Sequence, residues 1–154
     1  MTYDYSVENL WKVVSSPNYL NNVHPFCKEN SIIKWNNDHH EDKILYLNNK
    51  TYIRKFVSWK ALKGYDLWIG DNNRDQSYVE WRLEKVGSRS KLTITVYPFL
   101  LSHWPRILSF LPYFLYINIK LKSYLFSVLS GIDWYIKENT PVPKNQFGKH
   151  SWFS

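Results

Sequence analysis

The apolar positions near the C-terminal end of the chain predict one long helix. Within residues 112–139, the large apolar side chains recur with the 3.6-residue period of an α-helix and therefore share one face. A helix with such a stripe must bury it against another element. The preceding segments have the pattern of strands, so a sheet is the expected partner. The stripe consists of Phe114, Ile117, Leu121, Tyr124, Leu125, Val128, Ile132, Tyr135 and Ile136.

Apolar and polar residues alternate along most of the chain before this helix, which is the pattern of half-buried β-strands. Short polar turns, such as the one at 48–49, separate the segments and predict an antiparallel meander. Two short helices are expected earlier, over 7–14 and 18–22, and Tyr3 and Tyr5 indicate a short first strand. The predicted strands are 31–35, 43–47, 51–59, 65–69, 77–86 and 91–97.

A chain of 154 residues suits one core, so we expect a single domain over 1–154. Its last part, 140–154, is too polar and proline-rich to continue the helix. We expect this tail to pack on the surface of the domain through Phe147, Trp152 and Phe153. Aromatic residues make up 18% of the chain, which favours a large core, an aromatic-lined pocket or an interface.

The net charge of +7 permits an anionic partner, such as nucleic acid, a lipid head group or an acidic ligand. The basic residues are spread along the chain without a run of five or more, and dispersed charge usually covers a solvated surface. We therefore expect no nucleic-acid partner. The N-terminus lacks the pattern of a signal peptide, and the uncharged run at 107–119 is too short to span a bilayer. A cytoplasmic protein is the expectation.

Potential metal ligands are few. Cys27 is the single cysteine, which excludes an internal disulfide and a metal site built from cysteines. Residues 39–42 form the run His-His-Glu-Asp, but adjacent side chains point apart, so we interpret the run as a solvent-exposed turn. We expect no metal and no cofactor. His24 and Cys27 could form a base and a nucleophile, but a buried structural cysteine is commoner.

The motifs of this chain, taken together, resemble a known superfamily. They are LWKVVSSP, HPFCKEN, YIRKFVSW, GYDLWIG, VEWRLE, LTITVYP and NQFGKHSWFS. With the order of elements, they resemble the START/Bet v 1-like superfamily (SRPBCC, with polyketide cyclase/dehydrase-like members), and within it a bacterial subgroup. The resemblance implies an α+β helix-grip fold: a curved antiparallel sheet of about six or seven strands around the long C-terminal helix, with two short N-terminal helices. It leaves function open, because the superfamily hosts transporters, binders and enzymes.

The resemblance also implies an apolar cavity between sheet and helix. Arg54 is the expected polar anchor there, for the head group of an acidic ligand. Nevertheless, an exposed Arg54 is favoured, because arginine is mostly found at the surface. An inward Arg54 would need a carboxylate, for which Asp66 and Glu80 are the candidates. The expected lining residues are Tyr52, Phe56, Tyr65, Trp81, Tyr97, Tyr124, Val128 and Ile132.

Three functions are compatible with these observations. The first is binding or carriage of a small hydrophobic ligand, anionic or neutral, such as a lipid, an isoprenoid or a polyketide. The second is a cyclase- or dehydratase-type enzyme that uses His24, Asp66 or Glu80 as acid or base, although no nucleophile–base–orienter set is evident. The third is peripheral contact of 103–122 with an anionic membrane. Collapse of the cavity by aromatic side chains would exclude the first.

Overall fold

One antiparallel sheet of seven strands organises the molecule, in the order β1-β7-β6-β5-β4-β3-β2. The structure, a computed structural model, describes residues 1–71, 76–99 and 112–154, with the side chains of the last helix described from Leu115 onwards. The strands are β1 (Thr2–Tyr3), β2 (Cys27–Trp35), β3 (His40–Tyr46), β4 (Thr51–Lys60), β5 (Gly64–Gly70), β6 (Gln76–Val86) and β7 (Arg89–Tyr97).

Alternation along the strands separates an inner, buried face from an outer face. On β6, Val79, Trp81 and Leu83 are buried, as the pattern predicts. The turn between β3 and β4 places Asn49 at φ 65°, and the turn between β6 and β7 places Gly87 at φ 63°. Both residue types tolerate this left-handed conformation, which tight hairpins require. The predicted meander is therefore confirmed.

Three helices complete the fold: α1 (Val7–Val14), α2 (Leu20–Val23) and α3 (Pro112–Glu138). Ser6 caps α1 by accepting a hydrogen bond from the Asn9 N–H at 3.3 Å. Val128 and Ile132 of α3 are buried in the same core as residues from the inner face of the sheet. The predicted helix-grip α+β architecture is confirmed.

The predicted turn at 39–42 is wrong. His40, Glu41 and Asp42 belong to β3, and the Asp42 side chain is completely buried. A strand sends alternate residues to opposite faces, so the polar run does not lie on one wet surface.

The tail after α3 packs back onto the domain. The Val142 N–H donates to the Asn22 carbonyl at 2.8 Å, and the His150 Nε2 lies 3.0 Å from the Lys120 carbonyl of α3. Lys144 donates to the carbonyl of Cys27. Among the helices that the structure describes, none has the length and hydropathy needed to span a membrane.

Candidate ligand cavity

A cavity of about 190 Å³ lies between the inner face of the sheet and α3. Its wall is mainly aliphatic and aromatic, because every contributing strand turns its apolar positions inward. Among the residues that the structure describes, the wall consists of Leu20, His24, Ile44, Tyr46, Tyr52, Arg54, Leu67, Ile69, Ser77, Val79, Trp81, Ile94, Val96, Pro98, Leu121, Tyr124, Leu125, Val128, Trp152 and Phe153.

Aromatic rings fill the neighbouring part of the interior. We call this set the aromatic cluster; within it Trp59 stacks on His40 with ring centroids 4.1 Å apart and on Tyr65 at 5.1 Å. Collapse by aromatic side chains, the alternative to an open cavity, therefore occurs in one part of the interior, beside the cavity. The aromatic cluster consists of Trp11, Trp35, His40, Phe56, Trp59 and Tyr65.

Five predicted site residues lie on the cavity wall: Tyr52, Arg54, Trp81, Tyr124 and Val128. They come from β4, β6 and α3. The helical period and the strand alternation therefore indicated which face of each of these three elements turns towards the cavity.

Four other predicted lining residues lie away from the wall. Phe56 and Tyr65 belong to the aromatic cluster, and Ile132 is completely buried in the hydrophobic core. Tyr97 is 54% exposed, because its neighbours Val96 and Ile94 occupy the inner positions of β7. Alternation along β7 therefore places Tyr97 on the outer face of the sheet, where it cannot line the cavity.

The tail contributes two wall residues that sequence reasoning assigned only to anchoring, Trp152 and Phe153. Phe153 stacks on Tyr46 with ring centroids 4.4 Å apart and lies 4.7 Å from the ring of Tyr124. The sequence offers no periodic signal for this role, because the tail has no regular structure that would fix which side chains face inward.

Arg54 is buried, contrary to the favoured prediction, with 3% of its surface exposed. Its carboxylate partner is Asp42 of β3, not Asp66 or Glu80. Nε donates to Asp42 Oδ1 at 2.7 Å, and Nη2 donates to Oδ2. The two residues face each other directly across β3 and β4, so strand register brings them together. Burial opposes the charged form of Arg54, but the Asp42 carboxylate outweighs it and raises the pKa of Arg54.

A β-bulge in β4 allows both Arg54 and Trp59 to face inward. The register shifts between Phe56 and Ser58. Arg54 lies inward before the bulge, and Trp59 stacks inward after it, although the two are an odd number of residues apart. A bulge adds one residue to a strand and inverts the alternation beyond it. Strict alternation from Trp59 would therefore place Arg54 outside.

Arg54 also begins a chain of hydrogen bonds that leads away from the cavity. Its Nη1 donates to the Tyr19 hydroxyl at 3.0 Å, which lies 2.8 Å from the Tyr65 hydroxyl. The Tyr65 hydroxyl in turn donates to the Val14 carbonyl at 3.3 Å. The guanidinium carbon lies 5.2 Å from the ring centroids of Tyr19 and Phe56. These contacts hold the cation in one orientation.

His24 lies on the wall as a neutral hydrogen-bonding group. Its Nδ1 accepts the backbone N–H of Phe26 at 3.2 Å, and its Nε2 lies 2.8 Å from the Tyr124 hydroxyl. Burial, assisted by the charge of Arg54, lowers the pKa of His24 to about 3. The neutral ring therefore carries its proton on Nε2 and donates to Tyr124. A histidine in this state is a poor general base, which argues against the predicted acid–base role.

Asp66 and Glu80, the other weak catalytic candidates, lie outside the cavity. Asp66 pairs with Glu80 across β5 and β6, one position along from the inward-facing pair of Tyr65 and Trp81. Arg82 bridges them: it contacts Asp66 through Nη1, and its Nη2 lies 3.7 Å from Glu80. Alternation sends all three side chains to the outer face, where they cannot act on a ligand inside the fold.

Cys27 is buried and chemically quiet. Burial raises the pKa of its thiol to about 11, so the nucleophilic thiolate is scarce at neutral pH. His24 directs its Nε2 to Tyr124 rather than to this thiol. Within the ranges that the structure describes, no carboxylate lies on the cavity wall, and no three His, Cys, Asp or Glu residues are grouped as metal ligands.

Comparison with known proteins supports the fold. No protein-family model and no curated protein matches the chain. Among solved structures, Ara h 8.0201 matches with a TM-score of 0.66 at 20% identity, over 90% of this chain and 95% of that chain. CalU16 from Micromonospora echinospora matches with a TM-score of 0.65 at 13% identity, over 99% and 71% of the two chains.

DynU16, a protein of the dynemicin biosynthetic locus, matches with a TM-score of 0.67 at 12% identity. The match covers 92% of this chain and 46% of that chain. Identities this low bear on the fold alone. The chain has the Bet v 1-like helix-grip fold that its motifs predicted.

Proposed function

We propose that the protein binds a small hydrophobic ligand in the cavity between sheet and α3. The observation that carries this proposal is the cavity itself, about 190 Å³ with a wall of mostly apolar side chains. If this space held neither ligand nor water, the void would cost about 5 kcal/mol at roughly 24 cal/mol per Å³. That cost is comparable to the whole stability of a typical domain, about 5–15 kcal/mol. A ligand that fills the space offsets it.

The volume limits the size of the ligand. An apolar protein cavity of about 150 Å³ accommodates benzene. A cavity of about 190 Å³ therefore suits a single ring with a short substituent, a short isoprenoid or the end of a lipid chain. The similarity to DynU16, from a biosynthetic locus, is compatible with such a molecule.

Filling the cavity with a side chain tests the proposal. Native mass spectrometry and displacement of a fluorescent apolar probe are applied to the wild type and to Val128→Trp, whose indole enters the cavity from α3. The matched control is Phe126→Trp, on the exposed face of the same helix. We expect Val128→Trp to lose probe binding and the control to retain it. Probe binding that is equal in all three proteins, or absent from the wild type, would exclude the cavity as a binding site.

A second candidate function, contact with an anionic membrane, draws on the outer face of α3. Leu115, Tyr116 and Ile119 are exposed there, and Lys120 and Lys122 lie among them. An exposed apolar row beside cations suits the interface of an anionic bilayer. Residues 103–111, which share the predicted membrane segment, lie outside the described residues.

Flotation with vesicles tests the membrane contact. Wild-type protein, Ile119→Glu and the control Val57→Glu, at an exposed apolar position of β4, are mixed with phosphatidylcholine vesicles with or without phosphatidylserine. We expect the wild type and the control to float with the anionic vesicles and Ile119→Glu to remain below. Recovery of the wild type in the soluble fraction with both vesicle types would refute the contact.

A further inference from the structure

Among the described residues, hydrogen-bond donors outnumber acceptors on one part of the cavity wall. The chain from Arg54 through Tyr19 and Tyr65 is complete at its hydroxyls, because each hydroxyl accepts one bond and donates the next, until the Val14 carbonyl ends it. Both hydroxyl hydrogens in this chain therefore have an acceptor. It provides an internal comparison for the second chain on the cavity wall.

The second chain, from His24 through Tyr124 to Tyr46, is not complete. His24 donates to the Tyr124 hydroxyl, and the hydroxyls of Tyr124 and Tyr46 lie 3.3 Å apart. The two hydroxyls carry two hydrogens but share one contact, so only one hydrogen can be used between them. The other hydrogen has no acceptor among the residues that the structure describes. Both tyrosines line the cavity, where a ligand can supply one.

Arg54 adds further donors to the same wall. Three of its five N–H groups are used, two by Asp42 and one by Tyr19. The remaining N–H on Nη1 and the one on Nη2 have no acceptor within the described ranges. Arg54 lies close enough to Tyr124 and His24 for its charge to act on the pKa of both.

Among the residues that the structure describes on the wall, no charge is unpaired. Asp42 balances the charge of Arg54, and burial keeps His24, Tyr46 and Tyr124 uncharged at neutral pH by lowering the first pKa and raising the other two. Lys144, whose charge also lowers the pKa of His24, lies off the wall and donates to the Cys27 carbonyl. A carboxylate ligand would therefore add a buried negative charge without a free cation on the described wall, which is costly. A neutral oxygen would accept the hydrogen bonds without that cost.

We propose that the cavity selects a small apolar molecule with an uncharged acceptor oxygen, such as a ketone, an aldehyde or an ester, over the matching acid. The oxygen accepts from the free hydroxyl of the Tyr124–Tyr46 pair and from Arg54, and His24 is a positioning residue that orients Tyr124. This inference rests on the proposed function and reassigns the ligand head group from an anion to a neutral carbonyl.

Three probes of nearly equal shape test the inference by calorimetric titration. Acetophenone carries a carbonyl oxygen, α-methylstyrene replaces that oxygen by a methylene group, and benzoate presents a carboxylate. Apolar transfer alone favours α-methylstyrene. We expect acetophenone to bind the wild type about tenfold more tightly than α-methylstyrene, the gain of one to two hydrogen bonds. Benzoate should bind more weakly than acetophenone.

Variants assign the donor. The double variant Tyr46→Phe/Tyr124→Phe removes both hydroxyls of the pair, and should lower the ratio of acetophenone affinity to α-methylstyrene affinity about fivefold. Either single change should keep the ratio, because the hydrogen of the remaining hydroxyl then has no acceptor among the described residues and is available to the ligand. Tyr135→Phe, a packed tyrosine of α3 outside the cavity wall, is the control and should also keep the ratio.

A second measurement remains informative if the double variant Tyr46→Phe/Tyr124→Phe does not fold. The ring ¹⁵N shifts of His24 in the wild type at pH 7 should report the neutral tautomer with the proton on Nε2. A proton on Nδ1, or a charged ring, would overturn the hydrogen-bond chain on which the inference depends.

The outcomes separate this inference from the proposed function. Equal affinities for acetophenone and α-methylstyrene, or tighter binding of benzoate, would overturn the neutral carbonyl site while the cavity still binds ligands. An unchanged ratio in the folded double variant Tyr46→Phe/Tyr124→Phe would overturn the assignment of the donor to this hydroxyl pair. Failure of all three probes to bind would overturn the proposed function, and the inference with it.

Discussion

At the scale of single residues, burial of the Arg54–Asp42 pair carries a large desolvation cost. Both side chains are buried, and removing two charges from water costs several kcal/mol each. Two hydrogen bonds to Asp42 and one to Tyr19 offset that cost, as do the rings on either side of the guanidinium. The pair therefore stabilises the fold only while both members are present.

The first prediction concerns this pair. Arg54→Met should lower the free energy of unfolding by about 3–5 kcal/mol, because it leaves the Asp42 carboxylate buried without a cation. Asp42→Leu should cost a similar amount. The double variant Asp42→Leu/Arg54→Met should cost less than either single change, as measured by urea denaturation. Additive costs in the double variant would show that the two charges are not coupled.

The second prediction concerns His24. Its pKa is about 3 in the folded protein against an ordinary value of 6.5, so the unfolded chain takes up a proton first as the pH falls. The contribution of His24 to the free energy of unfolding should therefore be fully present above about pH 6.5 and be lost as the pH falls towards 3. The loss between pH 7 and pH 5 should be about 2 kcal/mol. His24→Gln should lack this component when its denaturation is compared with the wild type at each pH. Parallel pH profiles would argue against a neutral, buried ring.

At the scale of elements, the position of α3 depends on a close approach to α2. A Cβ atom at Gly131 would lie 2.1 Å from the Val23 carbonyl oxygen and 3.2 Å from Pro25 Cδ. Both contacts involve parts of the chain that cannot rotate away. The absence of a side chain at 131 therefore lets the helix approach α2 closely.

The third prediction follows from that contact. Gly131→Ala should destabilise the protein by about 2–3 kcal/mol through overpacking, although alanine is the better helix former by about 1 kcal/mol. Ser123→Ala, at an exposed position of the same helix, should change stability by less than about 1 kcal/mol. Thermal and urea denaturation measure both. A stabilised Gly131→Ala would show that the two helices can separate at little cost.

The elements themselves were largely predictable from the pattern of side chains. All six predicted strands and the long helix are present, because alternation and the 3.6-residue period are properties of the local chain. Two features were not predictable in this way. β3 begins at His40, where a turn was expected, and β4 has a bulge after Phe56 that depends on pairing with β5 rather than on local sequence. The exposed Arg54 was predicted from the usual exposure of arginine, which the buried Asp42 on the neighbouring strand overrides.

At the scale of the whole molecule, the interior is divided between a packed part and an open part. The aromatic cluster, which includes Phe56 and Tyr65, fills the packed part, and the cavity occupies the space beside α3. Arg54 borders both, since it lies over the Phe56 ring and also lines the cavity. The tail completes the cavity wall with Trp152 and Phe153.

The fourth prediction concerns the tail. Phe153→Ala removes a ring that stacks on Tyr46 and should lower stability by about 2 kcal/mol, less than full burial would cost because the ring is half-buried. It should also speed the release of an apolar probe, measured by stopped-flow fluorescence. Phe147→Ala is the matched control, in the same tail but away from the cavity wall, and should leave the release rate unchanged. Equal rates in both variants would exclude the tail as part of the wall.

The sequence by itself determined the elements and their order, because these follow from periodic patterns that each segment carries. The helix-grip architecture was implied by the resemblance of its motifs to a known superfamily. It also identified five residues of the cavity wall, from Tyr52 to Val128. Only the tertiary structure decided which carboxylate meets Arg54, where aromatic rings replace open space, and which hydroxyl lacks an acceptor. Those features depend on strand register, on a bulge and on contacts between residues far apart in the chain, and local side-chain patterns carry no record of them.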